Sequence, residues 1–378
     1  MVSSYILLSK KLNRTRLIGI AESLHGTDRL HSEMASFLKV LIEKNNIRTI
    51  FLENPISNTS LINLWLMGKK GSLESAVAPC LYGVWHTKSF FSFLSWLKRW
   101  NKLAPSSQVQ LIGIDLRQVS VDVEAIRSHL SCSHKRDFEK LYSVKKSGDW
   151  REIERRALGK DRRVLRALKS DFGKLMSLVK KLNASQLAPI RSEFRRVQFW
   201  IQYLIVSYDD FGRAEQIRDL SMTESLLASL PKKGHSVVIA HAGHLMTKSR
   251  NQQAKGSGFR QGQLMGARLR ATLASNYKPV LFSAPAVCLV GNDKNPSAEA
   301  VTSNRSLETA LVRVAKSKKL IIANRNDLLK LRSKSVNPTE ISSFIVPENA
   351  PIGIQTSSIQ GLKLGEDLPF SYIVVTMK

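Results

Sequence analysis

The fold of this chain of 378 residues is indicated by one stretch, Arg16-Leu-Ile-Gly-Ile-Ala-Glu22-Ser-Leu-His25-Gly26-Thr27-Asp28. Its first half is a continuous apolar run without polar alternation, which is typical of a strand that helices cover on both faces. A turn containing glycine follows, and Thr27 or Asp28 then stands where the N-cap of a helix is expected. The stretch therefore predicts a buried strand that ends at a carboxylate and turns at once into a helix.

Further runs of the same kind repeat this pattern along the chain. They are Arg48-Thr-Ile-Phe-Leu-Glu53, Val109-Gln-Leu-Ile-Gly-Ile-Asp115, Ser236-Val-Val-Ile-Ala-His241 and Lys278-Pro-Val-Leu-Phe-Ser283. Two more candidates lie near the C-terminus, at Lys319-Leu-Ile-Ile-Ala323 and Ser371-Tyr-Ile-Val-Val375, and are expected to extend the same sheet, with antiparallel members at its edge. Because stretches of helical period separate the runs, we predict an α/β fold with a central, mostly parallel sheet and helices on both faces.

A helical insertion is predicted between the third and fourth runs, where no strand-like segment occurs. We place this insertion, a basic lid, at 120–217, and the α/β core at 1–119 and 218–378. The formal net charge of the chain is +28, and 19 basic against 8 acidic residues lie between Lys135 and Arg196. Such a surface fits a small-molecule or peptide substrate that is anionic. Binding of nucleic acid or of another acidic partner is the alternative, although aromatic residues for base stacking are sparse there.

The first four runs each end at an ionisable residue, namely Glu22, Glu53, Asp115 and His241. Ligands of open α/β sheets bind beyond the carboxyl ends of the strands, so these ends predict a functional site. His25 follows Glu22 on the same tight turn, and His244 follows His241 in the same way. The two imidazoles of this second turn would thus face His25 and two carboxylates from other strands.

Several chemistries suit such a cluster. Acid and base catalysis is one, a zinc or iron site is another, and helix caps or ion pairs that hold strands together are a third. The spacing His-x-x-His differs from a His-Glu-x-x-His helix pair, and no cysteine stands nearby, so we predict neither a metal nor a cofactor. Gly-x-Ser-x-Gly, phosphate-loop and Gly-x-Gly-x-x-Gly motifs are also missing from the sequence. His31 and His86 are interpreted as structural or exposed.

Seven segments, in order, match the motifs of one known family. They are Ala21-Glu22-Ser-Leu24-His25-Gly26, Phe51-Leu-Glu53, Trp85-His-Thr87 followed by Ser95-Trp96-Leu and Trp100-Asn101, Gly113-Ile-Asp115, Arg218-Asp219-Leu-Ser-Met222, Ala240-His241-Ala-Gly-His244 and Leu264-Met265-Gly266. The chain resembles the erythromycin esterase family over about Leu17 to Ala284. It departs from the family pattern at Ala21, Leu24 and Ala242, and at Met34, where many members have an Arg on the first helix.

This resemblance implies hydrolysis of an ester or lactone without a metal, with His25 as the base that takes a proton from water. Glu22 or Glu53 would orient its ring, and His241 or His244 would stabilise the oxyanion or protonate the leaving group. The resemblance further implies a pocket shaped by four residues, namely Asp115, Arg218, Trp85 and Met34. Met34 lacks the guanidinium donor of many relatives, which bears on macrolide specificity. The same site could serve another acyl or carboxyl reaction.

The cysteines Cys80, Cys132 and Cys288 are odd in number and far apart, which is typical of free thiols in a reducing compartment. The N-terminus has a short apolar run with lysines after it, the wrong order for a secretory signal. No stretch approaches the ~18 apolar residues that a membrane span needs. We therefore expect a soluble cytoplasmic protein, and the sequence predicts no oligomeric state.

Overall fold

Seven strands form one sheet among the residues that the structure, a computed structural model, describes. These residues are 2–69, 71–141, 150–247, 264–284, 286–290, 296–302, 320–323, 340–341, 344–345, 362–363 and 370–376. The strands of this sheet are β1 (Leu17–Glu22), β2 (Thr49–Pro55), β3 (Gln110–Asp115), β4 (Ser236–His241), β5 (Tyr277–Ser283), β8 (Leu320–Ala323) and β12 (Tyr372–Thr376). Their order is β3-β2-β4-β1-β5-β12-β8.

The sheet is parallel except at one edge, where β8 runs antiparallel to β12. This confirms the predicted α/β fold and the extension of the sheet by the two C-terminal runs. The remaining strands pair in two small sheets, of three strands and two strands. They are β6 (Ala286–Val290), β7 (Pro296–Thr302), β9 (Glu340–Ile341), β10 (Phe344–Ile345) and β11 (Leu362–Lys363).

The described residues also form α-helices. They are α1 (Val2–Leu12), α2 (Asp28–Lys44), α3 (Ile56–Leu66), α4 (Leu73–Ala76), α5 (Lys88–Leu103), α6 (Ser120–His129), α7 (Cys132–Glu139), α8 (Trp150–Leu158), α9 (Arg162–Lys181), α10 (Ala184–Leu187), α11 (Arg191–Val206), α12 (Phe211–Ser229), α13 (Ala242–Leu245) and α14 (Met265–Leu273). None of the described helices is both long enough and apolar enough to cross a membrane.

The sheet is covered on both faces, which explains why its strands lack polar alternation. Along β1, Ile18 and Ile20 pack into one hydrophobic cluster together with residues of α1, α2 and α5. Leu17 and Ala21 belong to a second cluster, to which α12 and α14 contribute. Because successive side chains of a strand point to opposite faces, both sets must be apolar.

A third hydrophobic cluster lies in the helical part of the chain, from Leu116 to Ala214. The described residues of the predicted insertion, 120–141 and 150–217, contain helices and no strand. The predicted boundary at 217/218 falls within α12, which contributes Ala214 to the third cluster and Met222 to the sheet. The division into core and lid stays a prediction.

Strand β3 is the edge of the sheet opposite β8, and side chains of α3 cover it. The amide of Asn63 accepts the N–H of Leu111 at 2.8 Å and donates to the carbonyl of the same residue at 2.6 Å. The hydroxyl oxygen of Thr59 accepts the N–H of Gly113 at 2.7 Å. The helix thereby occupies the backbone groups with which another strand would pair.

Candidate functional site

The strand ends predicted to carry a site do meet at one edge of the sheet. Glu22 at the end of β1 stands opposite His241 at the end of the neighbouring strand β4. On the other side of β4, Glu53 of β2 accepts the backbone N–H of His241 at 2.8 Å. Asp115 ends β3, next to β2. All four residues are buried, so their charges and hydrogen bonds act in a medium of low polarity.

Glu22 and His25 form the closest pair of the site. Oε1 of Glu22 lies 2.5 Å from Nδ1 of His25, across the turn in which Gly26 has a φ of +71°. A residue with a side chain rarely adopts this left-handed conformation, so the turn favours glycine. The side chain of His25 remains 12% exposed, whereas that of Glu22 is fully buried.

Burial alone would raise the pKa of Glu22, but the adjacent rings of His25 and His31 lower it to about 2. Burial likewise opposes the charged form of His25, yet the Glu22 carboxylate beside it raises the pKa of His25 overall. An ionised Glu22 can only accept a hydrogen bond, so Nδ1 of His25 carries the proton. Nε2, the other ring nitrogen, has no hydrogen-bond partner within the described residues and is free to act as a base.

His31 is bound to the second oxygen of Glu22, a contact that the sequence analysis did not predict. Its Nε2 lies 2.9 Å from Oε2 of Glu22, and its Nδ1 lies 2.7 Å from Oγ1 of Thr87. The ring stacks on that of Trp85, with 5.2 Å between the ring centroids. A histidine in the first turn of the helix that follows the strand was the available signal, because that turn begins beside the end of the strand.

His241 faces His25, with 4.6 Å between the two ring centroids. Its Nδ1 accepts the backbone N–H of Gly243 at 3.2 Å, which leaves the ring proton on Nε2. This Nε2 is buried and has no partner among the described residues. Burial, and then the nearby ring of His25, lower the pKa of His241 to about 3. His241 is therefore a neutral donor whose hydrogen bond is unused.

Arg218 of α12 connects three carboxylates. Its Nη2 lies 2.7 Å from Oε1 of Glu53 and 2.7 Å from Oδ2 of Asp115, and its Nη1 lies 3.2 Å from Oε2 of Glu215. The hydroxyl of Tyr82 donates a further hydrogen bond to Asp115, at 3.0 Å. Burial opposes ionisation of Glu53 and Asp115, but the pKa of each is lowered, by His244 and Arg218 at Glu53 and by Arg218 at Asp115.

His244 belongs to the same network. Its Nδ1 lies 2.5 Å from Oδ1 of Asp219, and its Nε2 lies 3.4 Å from Oε1 of Glu53. Burial would lower the pKa of His244, but the two carboxylates raise it well above the ordinary value. These carboxylates therefore favour the charged form of His244, whereas the pKa of His241, three residues earlier, is lowered.

The structure thus brings together Glu22, His25, Glu53, Asp115, Arg218, His241 and His244. Trp85 is fully buried and donates from its indole N–H to the carbonyl of Glu53 at 3.1 Å. Met34 is buried in the cluster between the sheet and α2. A substrate contact by either stays a prediction. Tyr82 and Asp219 were not among the predicted site residues, although Asp219 directly follows Arg218 in the sequence.

Thr27 occupies the predicted N-cap position of α2 without a side-chain cap hydrogen bond. Its hydroxyl donates instead to the carbonyl of Leu24. Asp28 binds the start of α5, since its carboxylate accepts the N–H and the hydroxyl of Ser89, at 2.7 and 3.0 Å. Within the described residues no group of three or more His, Cys, Asp or Glu side chains is arranged to hold a metal ion.

The model of the erythromycin esterase family matches residues 42–321, a range that begins after the Glu22–Gly26 turn. Erythromycin esterase type I of Escherichia coli is 21% identical over 311 residues, which are 74% of this chain and 73% of that protein. The alignment thus covers similar shares of both chains.

Three solved structures share the fold. A protein from Bacillus cereus has a TM-score of 0.72 at 16% identity and covers 100% of this chain and 91% of its own. A succinoglycan biosynthesis protein has a TM-score of 0.71 at 15% identity, with 98% and 90% covered. A mutant of the erythromycin esterase EreC, in its open conformation, has a TM-score of 0.66 at 15% identity, with 99% and 93% covered.

Proposed function

The chain belongs to the erythromycin esterase family, as its motifs predicted, and on this premise we propose that it hydrolyses a carboxylic ester or a lactone with His25 as the general base. Family membership suggests an esterase-type hydrolase. The observation that carries the finer proposal is the pair formed by buried Glu22 and His25, with 2.5 Å between Oε1 and Nδ1. In the neutral ring, the carboxylate holds the proton on Nδ1, so Nε2 is the basic nitrogen, and the negative charge strengthens it as a base.

In the first step, Nε2 of His25 removes a proton from water while the water oxygen attacks the carbonyl carbon of the substrate. The carbonyl oxygen becomes an oxyanion, to which Nε2–H of His241 donates. Two observations support this role of His241: its low pKa keeps the ring neutral, and its Nε2–H has no other partner in the described part of the chain. A donor of this kind contributes about 10²–10³-fold to the rate.

In the second step, the bond between the carbonyl carbon and the leaving oxygen breaks, and the alkoxide takes the proton from His25. The products are a carboxylic acid and an alcohol, or one hydroxy acid from a lactone, and His25 returns to its neutral form. The Glu22 carboxylate stabilises the imidazolium that exists between the two steps. The reaction requires no metal ion.

Arg218 supports this chemistry by holding Glu53 and Asp115 ionised. Glu53 then fixes the backbone N–H of His241 and lies beside His244, so it positions both residues of that turn. All three nitrogens of the guanidinium donate to carboxylates, at 2.7–3.2 Å. We infer that Arg218 organises the pocket wall that a substrate meets.

The proposal is tested with purified protein and a panel of esters and lactones, 4-nitrophenyl butyrate and δ-valerolactone among them. We expect turnover by the unsubstituted protein, also in excess EDTA, and a loss of at least about 10²-fold in kcat for His25→Ala. His235→Ala is the matched control, because His235 precedes β4, at the end of the strand opposite His241, and bonds the carbonyl of Thr15. Turnover that survives in His25→Ala, or a panel that is not hydrolysed at all, would contradict the proposal.

A further inference from the structure

We propose that His31 and Thr87 are positioning residues of this site, which fix the Glu22 carboxylate so that one of its oxygens is aimed at His25. This inference rests on the proposed role of His25. It adds two side chains behind Glu22 to the base and its carboxylate. His31 lies on α2, and Thr87 is the N-cap of α5. The chain of contacts runs from Thr87 through His31 and Glu22 to His25.

Both ring nitrogens of His31 have hydrogen-bond partners. Nε2 lies 2.9 Å from Oε2 of Glu22 and Nδ1 lies 2.7 Å from Oγ1 of Thr87, in a region from which solvent is excluded. A buried imidazole needs such partners, whereas an apolar side chain would fill the space beside Trp85 and Phe90 without them. The polarity of His31 is therefore directed at Glu22.

The two partners of His31 also determine its tautomer. Ionised Glu22 cannot donate a hydrogen bond, so Nε2 of His31 must carry a proton. Oγ1 of Thr87 already accepts the backbone N–H of Phe90 at 3.2 Å, as the N-cap of α5, and its own proton is left for Nδ1 of His31. The cap of α5 thus selects the ring tautomer that donates to Glu22, and this couples α5 and α2 to the end of β1.

The hydrogen bond from His31 also affects the electrostatics of Glu22. Glu22 receives two hydrogen bonds, one on each oxygen, from His25 and His31. The bond from His31 fixes the plane of the carboxylate and withdraws part of its charge from His25. The charged groups that act on His25 are Glu22, Glu53 and His244, and the neutral ring of His241 lies against it. Without the N–H of His31, the carboxylate of Glu22 would lose the contact that fixes its plane, and its full negative charge would act on His25.

The test compares His31→Phe, which keeps a ring against Trp85 but has no N–H, with His31→Gln, whose amide can place an N–H at the position of Nε2. In His31→Phe we expect kcat for 4-nitrophenyl butyrate to fall by about 10- to 100-fold with KM unchanged. We expect the NMR titration of His25 to move upward by about half a pKa unit or more. His31→Gln should restore most of both quantities.

Thr87→Val and Thr87→Ser form a second matched pair, since valine removes the hydroxyl and serine keeps it. Thr87→Val should lower kcat and Thr87→Ser should not; thermal melting curves show whether each variant is folded at the assay temperature. An unchanged His25 titration and kcat in folded His31→Phe overturn the inference while His25→Ala still decides the proposed function. A loss that His31→Gln fails to restore overturns it as well.

Discussion

The protonation of His25 determines at which pH the site can work. Burial is the largest single effect on its pKa and lowers it, but the carboxylates of Glu22 and Glu53 together raise it, so the net shift is upward from 6.5. The base form is the neutral ring, and it is populated only above that raised pKa. We therefore expect kcat/KM to rise with pH along a limb that lies above 6.5. In Glu22→Gln this limb should move to lower pH, because the carboxylate that stabilises the imidazolium is gone, and kcat should fall.

The pH profiles of the parent and of Glu22→Gln, recorded with the same ester, are the measurement. Circular dichroism serves as the control for folding. It is needed because Glu22 is buried and the amide that replaces its carboxylate offers only one acceptor to two imidazoles. A limb that stays at the same pH in both proteins would show that another group titrates. A limb that moves upward would contradict the assigned direction.

The sequence contained most of this site, because strand ends can be recognised from where apolar runs stop. Glu22, Glu53, Asp115 and His241 were predicted in this way, and the structure brings them together. His31 was interpreted as structural or exposed, since its position in the first turn of α2 does not by itself fix the direction of its ring. Its contact depends on how α2 leaves the turn at Gly26, which is a property of three-dimensional geometry and not of local pattern.

At the scale of elements, the parallel strands were predictable from their continuous apolar runs, and the edge of the sheet was not. A run such as Gln110–Asp115 looks alike in the middle of a sheet and at its edge. The structure places it at the edge, where Asn63 of α3 takes the place of a further strand. Nothing in the residues around Asn63 marks it as the partner of Leu111, so its role could not be read from the sequence.

Asn63→Ala tests this edge contact. The substitution leaves the N–H and carbonyl of Leu111 without their partner, in a partly buried position. We expect the free energy of unfolding to fall by about 1–3 kcal/mol, measured by urea denaturation. Ser60→Ala, at an exposed position of the same helix, should change it by less than about 0.5 kcal/mol. Equal stabilities of Asn63→Ala and the parent would show that solvent satisfies the edge equally well.

At the scale of the whole molecule, the excess positive charge is not spread evenly. Cations on several helices of the predicted lid have acidic partners, as in Arg155 with Glu152 and Arg195 with Glu224. On α9 the exposed face carries a row of cations without an ion pair among the described residues. These are Arg162, Arg166, Lys169 and Lys180. They recur at helical spacing along one face, and this face is the strongest candidate for attracting an anionic substrate.

A variant in which these four cations of α9 are replaced by Gln tests that attraction. For an anionic ester such as 4-nitrophenyl hydrogen succinate, we expect KM of the parent to rise with salt, because the screening length falls from about 30 Å at 0.01 M to about 3 Å at 1 M. In the variant KM should be higher at low salt and nearly independent of salt, with kcat unchanged. The neutral ester 4-nitrophenyl butyrate and the variant Arg127→Gln, which loses an already paired cation, are the controls. If the KM of parent and variant depended on salt in the same way, recruitment of the substrate by α9 would be excluded. If the parent bound duplex DNA in a salt-sensitive manner and the variant did not, the same face would be assigned to nucleic acid instead.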